Sequence, residues 1–298
     1  MGIKFRLIVM NFLQYAIWGS WLISLGAYLG GGLDFTGLQI GSFFATMGVA
    51  SLFMPAVMGI IADRWIPAQK LLGICHLVSG GFLIAAASQT AYGPLYSCML
   101  LSVMFYMPTI ALSNSVAYNA LDLARLDTVK HFPPIRVWGT VGFIAAMWFV
   151  DLTHIGGVQI KLTEWQLYVS AVLSFLLAVY SFSLPGCPVD RTVKARSWVD
   201  TLGLRAFTLF KEKRMAIFFV FSMLLGAALQ ITNAFGDSYI QSFGSMPQYA
   251  DSAIVKHSVI LLSLSQMSET FCILLIPFFL RRFGIKKVML ISMLAWVL

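Results

Sequence analysis

Residues 71–121 form a run of 51 positions without a single aspartate, glutamate, lysine or arginine. Such a run is too long and too apolar for a water-soluble domain, in which roughly one residue in four is charged. In this chain 11% of the residues are charged. Because ~20 apolar residues cross the hydrocarbon core of a bilayer as one helix, the run predicts two membrane spans. Glycine and proline within residues 89–94 place the turn between them.

Apolar runs of similar character follow one another along the chain and predict an all-α polytopic membrane protein. The spans are expected at about residues 7–29, 38–62, 71–88, 95–121, 135–150, 165–184, 215–235 and 258–280, with a ninth beginning near 288. From residue 288 only 11 residues remain, too few to cross the core. We therefore expect eight complete spans and a shortened ninth, in a fragment or a truncated product of a longer chain.

The 20 lysines and arginines give the chain a net charge of +8. They lie between the apolar runs rather than on one basic face, which argues against a nucleic acid as partner. Only Lys161 and Lys256 fall on the side opposite the N-terminus. Because loops rich in lysine and arginine stay in the cytoplasm, we expect a cytoplasmic N-terminus. The basic segment 189–214 would then link an N-terminal six-helix bundle, 1–188, to a partial second bundle, 215–298.

Glu269 lies in a 24-residue stretch, 257–280, that contains no other charged residue. An ionised carboxylate at that depth is costly, so an acid there is by default functional. Glu269 is therefore the candidate that links transport to a proton. The alternative is a permanent ion pair with Arg136, in which Glu269 would have an architectural role.

Arg136, Thr140 and Phe143 are spaced i, i+4 and i+7, so they share one face of span five. Pro133 and Pro134 are expected to start that helix, which would put the arginine in its first turn. There the arginine could contact a substrate, or it could extend to lipid headgroups at the membrane edge.

Two polar pairs stand one turn apart: Gln230 with Asn233 on span seven, and Gln266 with Glu269 on span eight. An amide side chain offers both a donor and an acceptor, so the amides could hydrogen-bond the polar groups of a substrate. The alternative is interhelical hydrogen bonding that holds the bundle together, at ~0.6 kcal/mol per pair.

A second group of polar and aromatic residues is a weaker candidate for substrate contact, because packing explains it as well. It consists of Gln14 and Trp18 on span one, and of Asn114 and Tyr118 on span four.

Other polar residues are expected to have no part in a site. Asp237, which closes span seven, should be exposed to water at the outer edge. The histidines at the span edges, His131, His154 and His257, share no metal-ligand spacing and receive no role. The sequence contains no nucleophile constellation or phosphate-binding loop, so neither an enzyme nor a cofactor is expected, and a proton gradient would supply the energy.

Two short basic turns stand at equivalent places in the two halves. The first reads Gly-Ile-Ile-Ala-Asp-Arg over residues 59–64, and the second reads Arg-Arg-Phe-Gly-Ile-Lys-Lys over residues 281–287. The pattern resembles the loop signature of the major facilitator superfamily, Gly-x-x-x-Asp-Arg with trailing basic residues. The resemblance implies that Gly59, Asp63 and Arg64 gate the cytoplasmic side. It also implies a substrate site at mid-membrane between the halves.

Four further segments narrow the resemblance. Residues 12–21 read FLQYAIWGSW, 132–143 read FPPIRVWGTVGF, 230–233 read QITN and 265–269 read SQMSE. Together they are similar to the nucleoside:proton symporter family of that superfamily, nucleoside permeases with twelve spans. The resemblance implies that the substrate is contacted by Arg136, Thr140, Phe143, Gln230, Asn233, Gln266 and Glu269, and that Glu269 couples it to the proton.

The resemblance also implies the function, which is uptake of nucleosides with protons across the bacterial cytoplasmic (inner) membrane by alternating access. The protein is expected to act as a monomer in the lipid bilayer. The polar residues of the spans fit a neutral, planar, hydroxylated solute, since a nucleotide would require several cations for its phosphates. Two alternatives are a sugar or oligosaccharide:proton symporter of the same superfamily, and a shortened protein that does not transport.

Overall fold

The computed structural model describes residues 2–189 and 209–297, which are almost entirely helical. Within these ranges the framework consists of eight helices: α1 Ile3–Gly19, α2 Gly37–Arg64, α3 Ala68–Ala87, α4 Tyr92–Leu123, α5 Thr128–Leu152, α6 Trp165–Ser181, α7 Lys213–Ser242 and α8 Ser258–Val297. Residues 190–208, most of the predicted linker, lie outside the described residues.

Short elements join these helices. Leu25–Ala27 is one helical turn that continues into a π turn at Tyr28–Gly32. Three further turns stand at Ile160–Leu162, Phe243–Ser245 and Ala253–Lys256.

A small antiparallel hairpin follows α5. Its strands are β1 His154–Ile155 and β2 Val158–Gln159, with His154 opposite Gln159. Gly156 and Gly157 form the two-residue turn with φ of 61° and 84°, a conformation that glycine adopts without steric cost. We name the end of the helix bundle that carries this hairpin the hairpin end.

The prediction of an all-helical, multi-span membrane protein is confirmed in its main lines. Five of the described helices are long and apolar enough to cross a membrane: Gly37–Arg64, Ala68–Ala87, Tyr92–Leu123, Lys130–Leu152 and Lys213–Ser245.

Two predicted spans differ from the observed helices. Span one was expected to run to residue 29, but α1 ends at Gly19, where Trp21 N and Leu22 N both bond the carbonyl of Trp18 and turn the chain. Helix α8 extends through both the eighth span and the start of the ninth. Its one break is Gly284, with φ 72° and non-helical backbone, inside the basic turn where the sequence predicts one.

The predicted start of span five is wrong. Helix α5 begins at Thr128 rather than after the two prolines. The carboxylate of Asp127 accepts a hydrogen bond from the backbone N–H of Lys130 at 3.3 Å, which is how an N-cap residue satisfies a free amide. Prolines are tolerated inside membrane helices, so this cap sets the boundary. Arg136 therefore lies in the third turn of the helix.

The first six helices pack closely through small residues. A Cβ at Gly19 of α1 would collide with the backbone of Phe143 on α5, and one at Gly142 would collide with the backbone of Phe12. Between α3 and α6, a Cβ at Gly73 would lie 2.9 Å from a backbone carbonyl oxygen. Small residues of this kind let membrane helices approach each other. Most of the buried apolar core forms around these contacts.

Helices α7 and α8 contact the first six helices near the hairpin end. The Phe44 ring of α2 lies 6.4 Å from the ring of Phe235 on α7. Trp148 of α5 donates its indole N–H to the Ser263 hydroxyl of α8 at 2.9 Å. These contacts leave a space between the two parts of the chain, and that space contains the candidate site.

Candidate functional site

A cavity of about 530 Å³ lies between the first six helices and α7. This volume suits one small organic molecule, since ligand pockets measure roughly 300–1,000 Å³. Its lining comes from four helices and includes Trp18 of α1, Phe44 and Met47 of α2, Met107 of α4, and Gln230 and Phe235 of α7.

Glycines on α2 widen the cavity. Gly41 and Gly48 both line it, and a Cβ at either position would have no atom within 4 Å. The α2 wall therefore leaves room for a flat ligand. The lining residues include no aspartate, glutamate, lysine or arginine, so the described lining carries no formal charge.

An aromatic cluster forms the α1 side of the site. The Trp18 ring lies 6.0 Å from Tyr106 and meets Phe143 edge to face at 6.4 Å. Phe143 is thereby held next to a lining residue, although it is itself buried. The structure thus brings Trp18 and Phe143, both candidates from the sequence, into contact.

Arg136 packs on the inner side of α5. Its guanidinium carbon lies 3.8 Å above the ring of Tyr15 on α1, a cation–π contact. Gly139 makes room for this contact, since a Cβ there would lie 2.8 Å from the guanidinium and 2.6 Å from the Tyr15 ring. Thr140, one turn further along, is half-buried. The structure describes no ion pair between Arg136 and Glu269.

The second-half candidates have different surroundings. Gln230 lines the cavity, and its buried Nε2 has no hydrogen-bond partner among the described residues. Asn233 and Gln266 are half-buried. The side chain of Glu269 is exposed and forms no ion pair with any residue the structure describes.

Gln14 does not reach the cavity. Its side chain is fully buried, its Nε2 donates to the Thr109 hydroxyl at 2.7 Å, and its Oε1 lies 2.8 Å from His76 Nε2. Tyr106 donates to its backbone carbonyl at 2.6 Å. Because both ends of the amide are occupied, Gln14 is a packing residue in this structure.

The two candidates on α4 also lie outside the cavity lining. Asn114 is half-buried, and its Oδ1 has no described partner. Tyr118 is exposed and contacts the Phe132 ring at 4.5 Å.

The predicted gating residues stand at the far end of α2 from the hairpin end. Arg64 is the last residue of the helix and Asp63 is exposed. A Cβ at Gly59 would meet no atom within 4 Å, so no close contact within the described residues explains this glycine.

Sequence reasoning missed a polar cluster at the hairpin end. Asp237 was expected to be water-exposed, but it is fully buried, and the Ser258 hydroxyl at the start of α8 donates to its carboxylate. His257 received no role, yet its Nδ1 lies 2.7 Å from a carboxylate oxygen of Asp151. Lys161 belongs to a predicted outer loop, and it is 1% exposed. No local pattern signals this burial, since the contacts join distant segments of the chain.

Comparison with known proteins agrees with this architecture. Residues 1–298 match the family model described as nucleoside H+ symporter. Xanthosine permease of Escherichia coli (strain K12) is 53% identical over 298 residues, which cover the whole chain and 70% of that protein. Nucleoside permease NupG of the same organism is 48% identical with the same coverage. A crystal structure of nucleoside transporter NupG matches with a TM-score of 0.87 and 47% identity, over 100% of this chain and 72% of that one.

Proposed function

Because this chain belongs to the nucleoside H+ symporter family, we propose that it carries nucleosides together with protons across the cytoplasmic membrane by alternating access. The observation that supports this most directly is the cavity between the two parts of the chain, with Trp18 on one wall and Gln230 on the other. In transporters built from repeated halves, the substrate site lies at the interface of those halves.

The chemistry of the cavity favours a nucleoside over a charged solute. Phe44, Phe235 and Trp18 offer aromatic surface on which a base can pack. Gln230 offers a donor and an acceptor to a hydroxyl or a base edge. A phosphate group would require cations, which the described lining lacks.

The proposed substrate contacts extend from the cavity to its surroundings. They comprise Arg136, Thr140, Phe143, Gln230, Asn233, Gln266 and Glu269, with Trp18 as part of the wall. Glu269 takes up and releases the coupled proton, and no cofactor takes part. Asn114 and Tyr118 act further from the ligand, and Gln14 holds α1 in place.

The proposed orientation follows from the basic residues. The N-terminus and the loop of Gly59, Asp63 and Arg64 face the cytoplasm of a bacterial cell, and the hairpin end faces outward. Residues 1–188 and 215–298 belong to the two halves of a twelve-span, monomeric carrier, and 189–214 link them. With the halves joined at the hairpin end, the carrier is closed towards the outside.

The test is uptake of labelled uridine by cells that express the full-length gene, with and without a proton gradient. We expect uridine to accumulate in these cells and a protonophore to abolish the accumulation. Other nucleosides should compete with uridine for uptake. Competition by sugars alone would overturn the proposal in favour of a sugar symporter. Absence of uptake by a protein that reaches the membrane would favour a non-transporting product.

A further inference from the structure

Five polar side chains from both parts of the chain converge at the hairpin end. Asp151 lies in the last turn of α5 and Lys161 follows the hairpin. Asp237 lies on α7, Ser258 begins α8, and His257 directly precedes it. Asp151, Asp237 and Ser258 are completely buried. We name these five residues the outer cluster.

Lys161 is the centre of the outer cluster. Its ammonium lies 2.6 Å from Asp151 Oδ1, within its own half. Across the interface it donates to the backbone carbonyl of Lys256 at 2.9 Å and to the hydroxyl of Ser258 at 3.2 Å. One buried cation therefore connects both halves.

Three more contacts complete the outer cluster. The Ser258 hydroxyl donates to Asp237 Oδ1, and Gln241 donates to the other oxygen of that carboxylate at 3.0 Å. His257 Nδ1 lies 2.7 Å from Asp151 Oδ2. The buried carboxylate of Asp151 thus contacts an ammonium and an imidazole, and that of Asp237 accepts hydrogen bonds from a hydroxyl and an amide.

The cluster's contacts fall into two groups. The ion pair between Asp151 and Lys161 lies within one half and is unaffected when the halves separate. The contacts of Lys161 with Ser258, and of His257 with Asp151, exist only while the hairpin end is closed. Once the halves move apart, water can hydrate each charged group instead, so the closed state alone depends on the cluster.

We propose that the outer cluster is the outer gate of the transport cycle. It holds the hairpin ends of the halves together in the closed state and breaks when the carrier opens outward. This inference rests on the proposed function, since a gate requires a carrier that alternates. Lys161 acts as a positioning residue, because it joins the halves without touching the cavity.

Removing the Lys161 ammonium leaves the Asp151 carboxylate buried without that cation in the closed state. In the open state water hydrates the carboxylate, so the loss costs less there. Because a substitution can shift a two-state equilibrium only through a difference between the states, the Lys161→Gln variant must favour the outward-open state. The matched control is Lys256→Gln. It removes the other lysine of this end, whose ammonium pairs with Asp251 on the surface, where these side chains are 55% and 100% exposed.

The experiment measures access from outside. In the full-length carrier, Ala234→Cys places a thiol in the closed interface, where Ala234 is 2% exposed. A membrane-impermeant maleimide is added to intact cells, and the full-length carrier without the Ala234→Cys substitution gives the background labelling of its native cysteines. We expect Lys161→Gln to accelerate labelling about tenfold, and Lys256→Gln to leave the rate unchanged. Equal rates for the two variants would overturn the proposal.

A second variant and its control test the proposal if the Lys161→Gln protein does not reach the membrane. Ser258→Ala removes only the hydroxyl between Lys161 and Asp237, and we expect about threefold faster labelling. Its control is Ser242→Ala, because the exposed Ser242 hydroxyl donates, among the described residues, only to the Tyr239 carbonyl of its own helix. An unchanged rate for Ser258→Ala would count against the gate. Labelling of the thiol does not require transport, so the two proposals are tested separately. Unchanged labelling with normal uridine uptake would overturn the gate alone, and faster labelling without uptake would overturn the proposed function alone.

Discussion

The same side chain has opposite surroundings in the two parts of the molecule. Gln14, in the first six helices, is fully buried with its amide bonded at both ends to Thr109 and His76. Gln230, on α7, lines the cavity with a buried Nε2 that has no partner among the described residues. A satisfied buried amide stabilises the fold, whereas an unsatisfied one is available to a ligand.

The difference extends beyond these two glutamines. The first part has its own apolar core, extending from Leu7 to Cys187. In residues 209–297, Ala234 and Val259 are the only apolar side chains described as buried, and both lie near the contact with the first part. The first part therefore behaves as a folded scaffold. The second presents its polar groups to the space between them.

The largest expected effect comes from Glu269 in the second part. Glu269→Gln should abolish the accumulation of uridine against a gradient in the full-length carrier, because the proposed proton site would no longer ionise. Downhill exchange should persist, since the amide keeps the size of the side chain. Uptake measured with and without a protonophore checks this. The control is Asp251→Asn, which alters an exposed acid of the same part.

Continued accumulation by Glu269→Gln that a protonophore still abolishes would show that another group carries the proton. Glu269 would then contact the substrate without carrying the proton.

Gln230→Leu should reduce Vmax/KM for uridine about tenfold, the equivalent of about 1.4 kcal/mol for a lost hydrogen bond. Leucine conserves the bulk of the side chain, so the thermal stability of the carrier should not fall. Gln248→Leu, at an exposed loop position, is the control. Lower stability with unchanged uptake would place Gln230 among the packing residues, alongside Gln14.

The helices were predictable where the signal is local. The 51-residue uncharged run became α3 and α4, with Pro94 just inside the start of the second helix. The basic turn before a ninth span contains Gly284, where α8 breaks. The absence of charge and the position of a glycine determine where a helix forms or breaks locally, so both patterns can be read without knowing the fold.

The predictions that depended on distant segments were less successful. Asp237 looked like an outer-edge acid, and it became buried because Ser258, 21 residues further on, covers it. An ion pair of Arg136 with Glu269 was the alternative to a proton-coupling role for that acid, but the guanidinium lies on the Tyr15 ring of α1. Nothing in the spacing of span five specifies which neighbouring helix supplies that partner.

The packing of the first part can be tested through its glycines. Gly142→Ala should lower the free energy of unfolding by about 2–3 kcal/mol, because the new methyl group would collide with the backbone of Phe12. Gly226→Ala on α7, where a Cβ would meet no atom within 4 Å, should cause no loss. Thermal unfolding in detergent measures both. Equal stabilities would mean that α1 and α5 are packed less tightly than the structure shows.

A last substitution completes the comparison of the two glutamines. Gln14→Leu should lower the free energy of unfolding by about 1–2 kcal/mol, because Thr109 and His76 would each lose a buried partner. The KM for uridine should stay unchanged, since the side chain does not reach the cavity. Unfolding and uptake measured on the same preparation separate the two effects, with Gln248→Leu again as control. A raised KM at unchanged stability would assign Gln14 to the binding surface and remove the distinction between the two parts.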